Sequence, residues 1–201
     1  MKTTYRQCRR FYEYDPDANS FAGVGFHVGP VDDDDDDCAK VRRLHWSDTP
    51  VRASWRTLTC DGFDDNPPDV GDFPSVSNSR RIPMMSERAW RILKPIIGDA
   101  CEALPVLHPF RGNYYLIHVM RTIDALDAGA STVERRSIED QRIRRIYRYA
   151  FKDDLIEGQH IFKLPLASGS DLFVDDIFRQ AVEDNGLRGL RFKDLPMTCD
   201  A

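Results

Sequence analysis

The chain has 201 residues, a size typical of one domain or two small ones. With 41% hydrophobic and 30% charged residues, its composition is that of an ordinary globular protein. No stretch approaches the roughly 20 apolar residues of a membrane helix, and polar residues 1–14 do not resemble a signal peptide, so the sequence predicts a cytoplasmic protein without a membrane partner.

The cysteines and histidines do not indicate a metal or redox site. The five cysteines are widely spaced without a CxxC pair, which favours reduced thiols over a disulfide framework. The five histidines lack the short spacing of metal ligands. Gly23, Gly25 and Gly29 do not fit a dinucleotide fingerprint, and the aspartates that follow them would repel phosphate. We therefore expect neither a metal nor a cofactor.

The net charge of −5 is unevenly distributed. Residues 1–80 hold 10 Lys/Arg against 15 Asp/Glu, whereas residues 81–201 hold 18 of each. Most of the excess lies in six consecutive aspartates: Asp32, Asp33, Asp34, Asp35, Asp36 and Asp37. Such a run predicts a solvated loop, with contact to a basic partner protein as the second interpretation. A chain this acidic is a poor general binder of nucleic acid.

The N-terminal third has mainly strand-like content. Aromatic residues in 3–14 predict an early strand that ends at the turn signal Asp15-Pro16-Asp17. Residues 21–28 predict a second strand or a loop loosened by glycine, and residues 41–46 and 51–60 are also strand-like. Residues 61–79 are rich in Asp, Pro, Gly and Ser, which predicts a long connection between two lobes. We thus define residues 1–73 as an acidic, strand-rich N-terminal region.

A helix follows, with Ser86 as its N-cap and an apolar face at helical spacing. Pro95 lacks a backbone donor and predicts a kink or a stop near Lys94. Residues 101–107 and 113–120 then predict two strands. His118 lies in an apolar run and is expected to be a hydrogen-bonded buried residue. The alternative is that it serves as the base for Cys101 in covalent catalysis.

Residues 142–151 are ambiguous between helix and strand, with aromatic and β-branched content slightly favouring a strand. Their candidate contact residues are Arg144, Arg145, Tyr147 and Arg148. The plain interpretation is a salt-bridged strand face. Arginine and tyrosine also dominate protein interfaces, which makes a partner surface the second interpretation. Binding of nucleic acid by phosphate contacts and stacking is the third.

Residues 171–192 predict a strand, a helix capped by Asp175, a glycine stop at Gly186 and a second strand. Leu187 is expected to pack back on the last helical turn. The helix has an apolar face formed by Ile177, Phe178, Ala181 and Val182. This element carries no nucleophile, base or ligand cluster, so it predicts packing rather than chemistry. The whole pattern predicts an α+β fold with a mostly antiparallel mixed sheet and a few packed helices.

The order of segments carries more information than any one of them. The segments that define this order are the Ser86–Ile97 helix, Leu104-Pro105-Val106, Tyr114 to Ile117, Asp124 and Asp127, Ile161-Phe162, and Gly186 to Phe192. This succession resembles bacterial immunity protein family eleven, found in polymorphic-toxin and type VI secretion loci. The resemblance implies an α+β immunity domain over residues 74–195, followed by a tail over 196–201.

The resemblance also implies a function, namely binding and neutralising a cognate secreted toxin without catalytic residues. We therefore expect a toxin protein as the partner and no enzymatic activity. The expected contact residues are the six aspartates and the arginine–tyrosine segment. The alternative is an enzyme that reverses a toxin's modification, or a protein that binds a small ligand.

Overall fold

The computed structural model describes residues 9–27, 37–63, 67–77, 82–137, 139, 142–165 and 172–197. Within them the chain forms four α-helices and twelve strands. The helices are α1 (Asp37–Trp46), α2 (Glu87–Ile97), α3 (Asp153–Ile156) and α4 (Asp176–Asp184). The strands are β1 (Phe11–Pro16), β2 (Gly23–Phe26), β3 (Leu58–Gly62), β4 (Ser75–Val76), β5 (Met84–Ser86), β6 (Cys101–Leu107), β7 (Tyr114–Val119), β8 (Thr132–Arg135), β9 (Ile143–Arg148), β10 (Ile161–Lys163), β11 (Leu172–Asp175) and β12 (Leu190–Asp194).

The strands form three sheets, and the α+β class is confirmed. A four-stranded antiparallel sheet has the order β10-β11-β1-β12. A six-stranded sheet has the order β4-β2-β3-β6-β7-β5, with parallel pairing only at β2–β4 and β3–β6. Strands β8 and β9 form a separate two-stranded ribbon.

Backbone pairing crosses the division that the sequence places at residue 73. Strand β1 lies between β11 and β12, pairing Tyr12 with both Val174 and Asp194. Phe73 and Asp72 are buried in the stretch expected to connect two lobes. The division into an N-terminal region, a family segment and a tail stays a prediction, because strand pairing reports contact rather than domain limits.

Three apolar clusters hold these layers together. The first joins α2 and α4 to both larger sheets and includes Leu93, Phe178 and Tyr14. The second lies between α1 and the other face of the six-stranded sheet. The third lies on the opposite face of the four-stranded sheet, where Phe11, Phe162 and Phe173 meet edge-on or tilted at ring-centroid distances of 5.5–5.6 Å. Burial of these side chains is the main stabilising contribution to the fold.

The strand predicted for residues 41–46 is wrong, because this stretch lies in α1. Val41 and Leu44 are buried three residues apart, as a helix face requires, whereas a strand would bury alternate residues. Residues 51–60 are only partly extended, since a 3-10 turn covers Arg52–Ser54 before β3 begins. The early strand begins at Phe11 and runs through Pro16, so the turn predicted at Asp15-Pro16-Asp17 lies after the strand, at residues 18–20.

Helix α2 confirms its predicted cap, and it does not stop near Lys94. The Ser86 hydroxyl accepts the amide of Ala89 at 3.0 Å. The helix continues past Pro95 to Ile97. Pro95 and Arg91 are both on the exposed side, so water can satisfy the Arg91 carbonyl that proline leaves without an amide partner.

The closing strand–helix–strand unit is confirmed in most details. Asp175 accepts the amide of Phe178 at 3.0 Å, and Gly186 has a φ of 56°. Leu187 is buried and donates its amide to the carbonyl of Val182. Ile177 was expected on the apolar face and is instead 54% exposed, because it points away from the cluster that buries Phe178.

Candidate partner-binding surface

The β8–β9 ribbon packs on the third apolar cluster by one side only. Val133, Ile143 and Ile146 are partly buried there. The chain continues from β9 into a bridge between Tyr149 and Met197, which ties the ribbon to the chain after β12. The other side of the ribbon faces solvent, which makes it a platform with a packed back and an open front.

Two irregularities in strand pairing determine which side chains lie on the open side of the ribbon. The register shifts between Thr132 and Val133 and again between Glu134 and Arg135. Each shift inserts one extra residue in β9, as a β-bulge does. Ile143 and Ile146 therefore both point inward although they are three residues apart. This spacing is why the sequence fitted a helix and a strand about equally.

The extra residues bring four of the expected contact residues to the surface. Both residues between the inward isoleucines, Arg144 and Arg145, are exposed, and so are Tyr147 and Arg148. A regular strand would turn every second side chain toward the core. The bulged strand instead places three arginines and one tyrosine on the solvent side over a short length of chain.

Glu134 organises this exposed group. Its carboxylate accepts Arg144 Nη1 at 3.0 Å and the Tyr147 hydroxyl at 2.8 Å. The Arg145 guanidinium lies 5.8 Å from the centre of the Tyr147 ring, within range of a cation–π interaction. Arg148 donates to the carbonyl of Met197 at 3.4 Å. Each of the four side chains thus has a contact within the protein, and Arg144 and Tyr147 share a single carboxylate.

The ribbon is a local excess of positive charge on an acidic protein. Residues 132–148 contain six arginines against three carboxylates, whereas the chain as a whole carries −5. Exposed arginines keep their charge at any physiological pH. The front of the ribbon therefore presents a positive field with one aromatic ring, Tyr147, which is 47% exposed.

The acidic run is described only at its last residue. Asp32 to Asp36 lie outside the described residues, so their expected contact role stays a prediction. Asp37 is the first residue of α1 and accepts the Lys40 ammonium at 3.2 Å. A carboxylate in the first turn also interacts favourably with the helix dipole.

Cys101 and His118 do not form a catalytic pair. In the β6–β7 register Cys101 pairs with Val119, and His118 pairs with Glu102, so the two side chains lie on opposite faces of the sheet. Burial raises the pKa of the Cys101 thiol far above its usual value, with a smaller contribution from Asp99. Among the described residues, no three His, Cys, Asp or Glu side chains are placed to hold a metal ion.

His118 belongs to a buried polar cluster that the sequence reveals only in part. Its Nδ1 lies 3.0 Å from Glu102, and its Nε2 lies 2.8 Å from the carbonyl of Ser47. Lys163 is almost fully buried and donates to the carbonyls of His45 and Ser47 and to Asp48. The expectation of a hydrogen-bonded buried histidine is confirmed. These contacts hold the chain after α1 against the sheet, which is a structural role.

The structure places the arginine–tyrosine segment in one patch. A comparison of the sequence with protein-family models matches residues 72–196, more than half of the chain, to the immunity protein family (Imm11). The chain belongs to this family. A search of curated proteins found no match. In the described part of the chain, no helix is long and apolar enough to cross a membrane.

The Imm11 segment contains only one of the two groups of expected contact residues. The β8–β9 ribbon falls inside it and the aspartate run falls outside it. Its first residue, Asp72, is buried and accepts hydrogen bonds from the Ser86 hydroxyl, Arg88 and the amide of Arg188. The match begins two residues before the segment predicted from the sequence, at a residue whose hydrogen bonds join it to the start of α2 and to the chain before β12.

Proposed function

We propose that the protein binds a cognate secreted bacterial toxin in the cytoplasm and neutralises it by direct contact. Family membership carries this proposal, because immunity proteins protect the cell that makes the toxin. A polymorphic-toxin or type VI secretion locus is the setting that we propose for the gene. The scaffold is the pair of larger sheets packed against α2 and α4.

Inhibition by contact suits the chemistry of the described residues. The Cys101–His118 pair is divided between two sheet faces, and Glu102 is engaged by His118 and by the amides of Val51 and Arg52. Its hydrogen-bonding capacity is thus used in holding the fold. Tight contact between proteins requires a complementary surface of roughly 800 Å² on each partner.

Titration of the toxin domain encoded beside this gene tests the proposal. We expect purified protein to form a stable complex with that domain, and inhibition to be complete at one equivalent. An enzyme that reverses the toxin's modification would protect at far lower amounts without forming a stable complex. Such substoichiometric protection would overturn inhibition by contact and favour the enzyme alternative.

A further inference from the structure

We infer that the open side of the β8–β9 ribbon is the contact surface, and that it fits an acidic face of the toxin. The inference rests on the proposed function and names the surface and the charge of the partner. It differs from contact through the aspartate run, which would require a basic toxin face. The two possibilities therefore predict opposite charges on the partner.

The ribbon is anchored to the rest of the fold along its back. Val133, Ile143 and Ile146 anchor its back to the third apolar cluster, and the Tyr149 amide donates to the carbonyl of Pro196. A fixed backbone reduces the ordering cost of association. The two bulges then fix which side chains face outward, because each inserted residue belongs to the pairing register itself.

The exposed side chains are of the types that contribute most at protein interfaces. Arginine and tyrosine are enriched among residues whose truncation strongly weakens binding. Glu134 holds Arg144 and Tyr147 by hydrogen bonds before any partner arrives. Because these side chains are already ordered, less conformational entropy is lost when a partner binds.

Charge identifies the chemistry of the partner. Arg144 is 69% exposed and uses one nitrogen on Glu134, which leaves further guanidinium donors for a carboxylate on another protein. The Arg145 guanidinium lies over the Tyr147 ring, and its N–H groups can donate to a carboxylate on a partner. Clustered exposed guanidinium groups fit a toxin surface rich in Asp and Glu.

A protein partner is favoured over nucleic acid by the distribution of charge. A long polyanion would extend beyond the ribbon and experience the −5 charge of the whole chain. Glu134 also places a carboxylate at the centre of the patch, next to Arg144 and Tyr147. A compact acidic patch on a protein can contact the ribbon without lying over the acidic remainder of the chain.

Charge reversal with a matched control tests the inference. Arg144→Glu/Arg145→Glu changes the ribbon, and Arg56→Glu/Arg91→Glu makes the same change in net charge at two exposed arginines elsewhere. Affinity for the neighbouring toxin domain is measured by calorimetry after circular dichroism has verified folding. We expect the ribbon variant to bind at least about 100-fold more weakly, the control to stay within about threefold, and Arg144→Lys/Arg145→Lys to fall between them.

The other outcomes distinguish failure of the proposed contact surface from failure of the proposed function. If the wild type binds the toxin and the ribbon variant binds equally well, the ribbon is not the contact and the proposed function stands. If replacement of Asp32–Asp37 by serine abolishes binding and ribbon reversal does not, the acidic run is the contact. If the wild type does not bind the toxin domain, the proposed function fails and the ribbon inference fails with it.

A nucleic-acid arm completes the test. A single-stranded RNA oligonucleotide and a DNA duplex serve as probes under the same conditions. We expect no binding at physiological salt. Tight, steeply salt-dependent binding that Arg144→Glu/Arg145→Glu removes, with toxin affinity unchanged, would overturn the inference in favour of nucleic acid.

Discussion

The hydroxyl of Ser86 donates to the carboxylate of Asp72 at 2.6 Å while it accepts the amide of Ala89 at 3.0 Å. One small side chain thereby joins the first turn of α2 to a segment that precedes it by fourteen residues. Asp72 in turn accepts the backbone amide of Arg188. The two buried residues connect three separate parts of the family segment.

Replacing Asp72 tests how much this junction stabilises the fold. We expect Asp72→Ala to lower the free energy of unfolding by about 2–4 kcal/mol, because it leaves the buried Ser86 hydroxyl and the Arg188 amide without their acceptor. Asp69→Ala is the control, since its ion pair with Arg188 is exposed and should contribute less than about 1 kcal/mol. Denaturant titration measures both, and equal losses would contradict the expectation.

Glu102 should make stability depend on pH. Burial raises the pKa of its carboxyl, but hydrogen bonds from the Val51 amide, His118 and the Arg52 amide outweigh this and hold it below the ordinary 4.5. The unfolded chain therefore binds the proton more readily. The contribution of Glu102 is fully present above the unfolded pKa and is lost as pH falls through the folded pKa.

Glu102→Gln should flatten that pH dependence. We expect the variant to be less stable than the wild type near neutral pH, with the difference in the free energy of unfolding narrowing as pH falls below the ordinary carboxyl pKa of 4.5. Denaturant titrations across this range measure it. A difference that stays constant with pH would show that the carboxyl does not titrate differently in the folded and unfolded states.

Two tyrosines of β1 form a matched pair. The Tyr14 hydroxyl is buried without a hydrogen-bond partner among the described residues, whereas the Tyr12 hydroxyl donates to Asp176 and accepts from Arg179. Tyr14→Phe should leave stability unchanged or raise it by up to about 1 kcal/mol, and Tyr12→Phe should lower it by about 1 kcal/mol. Thermal unfolding of the two variants checks the order, and a destabilising Tyr14→Phe would reveal a bound water.

Gly186 should resist substitution for a backbone reason alone. Its φ of 56° lies in the left-handed region, and an added Cβ would meet no atom within 4 Å. We expect Gly186→Ala to cost about 1–2 kcal/mol, while Gly186→Asn costs less because asparagine tolerates this conformation. Chemical denaturation distinguishes the two variants; equal costs would show that the left-handed backbone conformation is not the source of the loss.

The parts of the fold that depend on neighbouring residues could be predicted. Asp175, Gly186 and Leu187 signal the limits of α4 through local hydrogen bonds and backbone geometry. Ser86 does the same for α2. The parts that depend on distant partners could not, because Asp72 lies in a polar, proline-containing stretch and its acceptor role requires Arg188, far along the chain.

The residues of the candidate site could be predicted, but their exposure could not, because it also depends on a strand partner. Composition identified Arg144, Arg145, Tyr147 and Arg148, but the bulges that expose all four are set by pairing with β8. Without them, Ile143 and Ile146 cannot be assigned to one face of a strand. The buried role of Lys163 is a further feature that the sequence could have indicated. A cation inside the apolar stretch IFKLPL predicts a buried ammonium with a polar partner.

The position of β1 has a consequence for synthesis of the protein. The inner strand β1 ends at Pro16, whereas its neighbours β11 and β12 begin only at Leu172 and Leu190, so both are synthesised long after it. Until β11 emerges from the ribosome, β1 has neither strand partner, and until β12 emerges it has only one. A nascent chain therefore cannot complete this sheet before β12 has been made, and a product terminated before β12 retains an unpaired edge on β1.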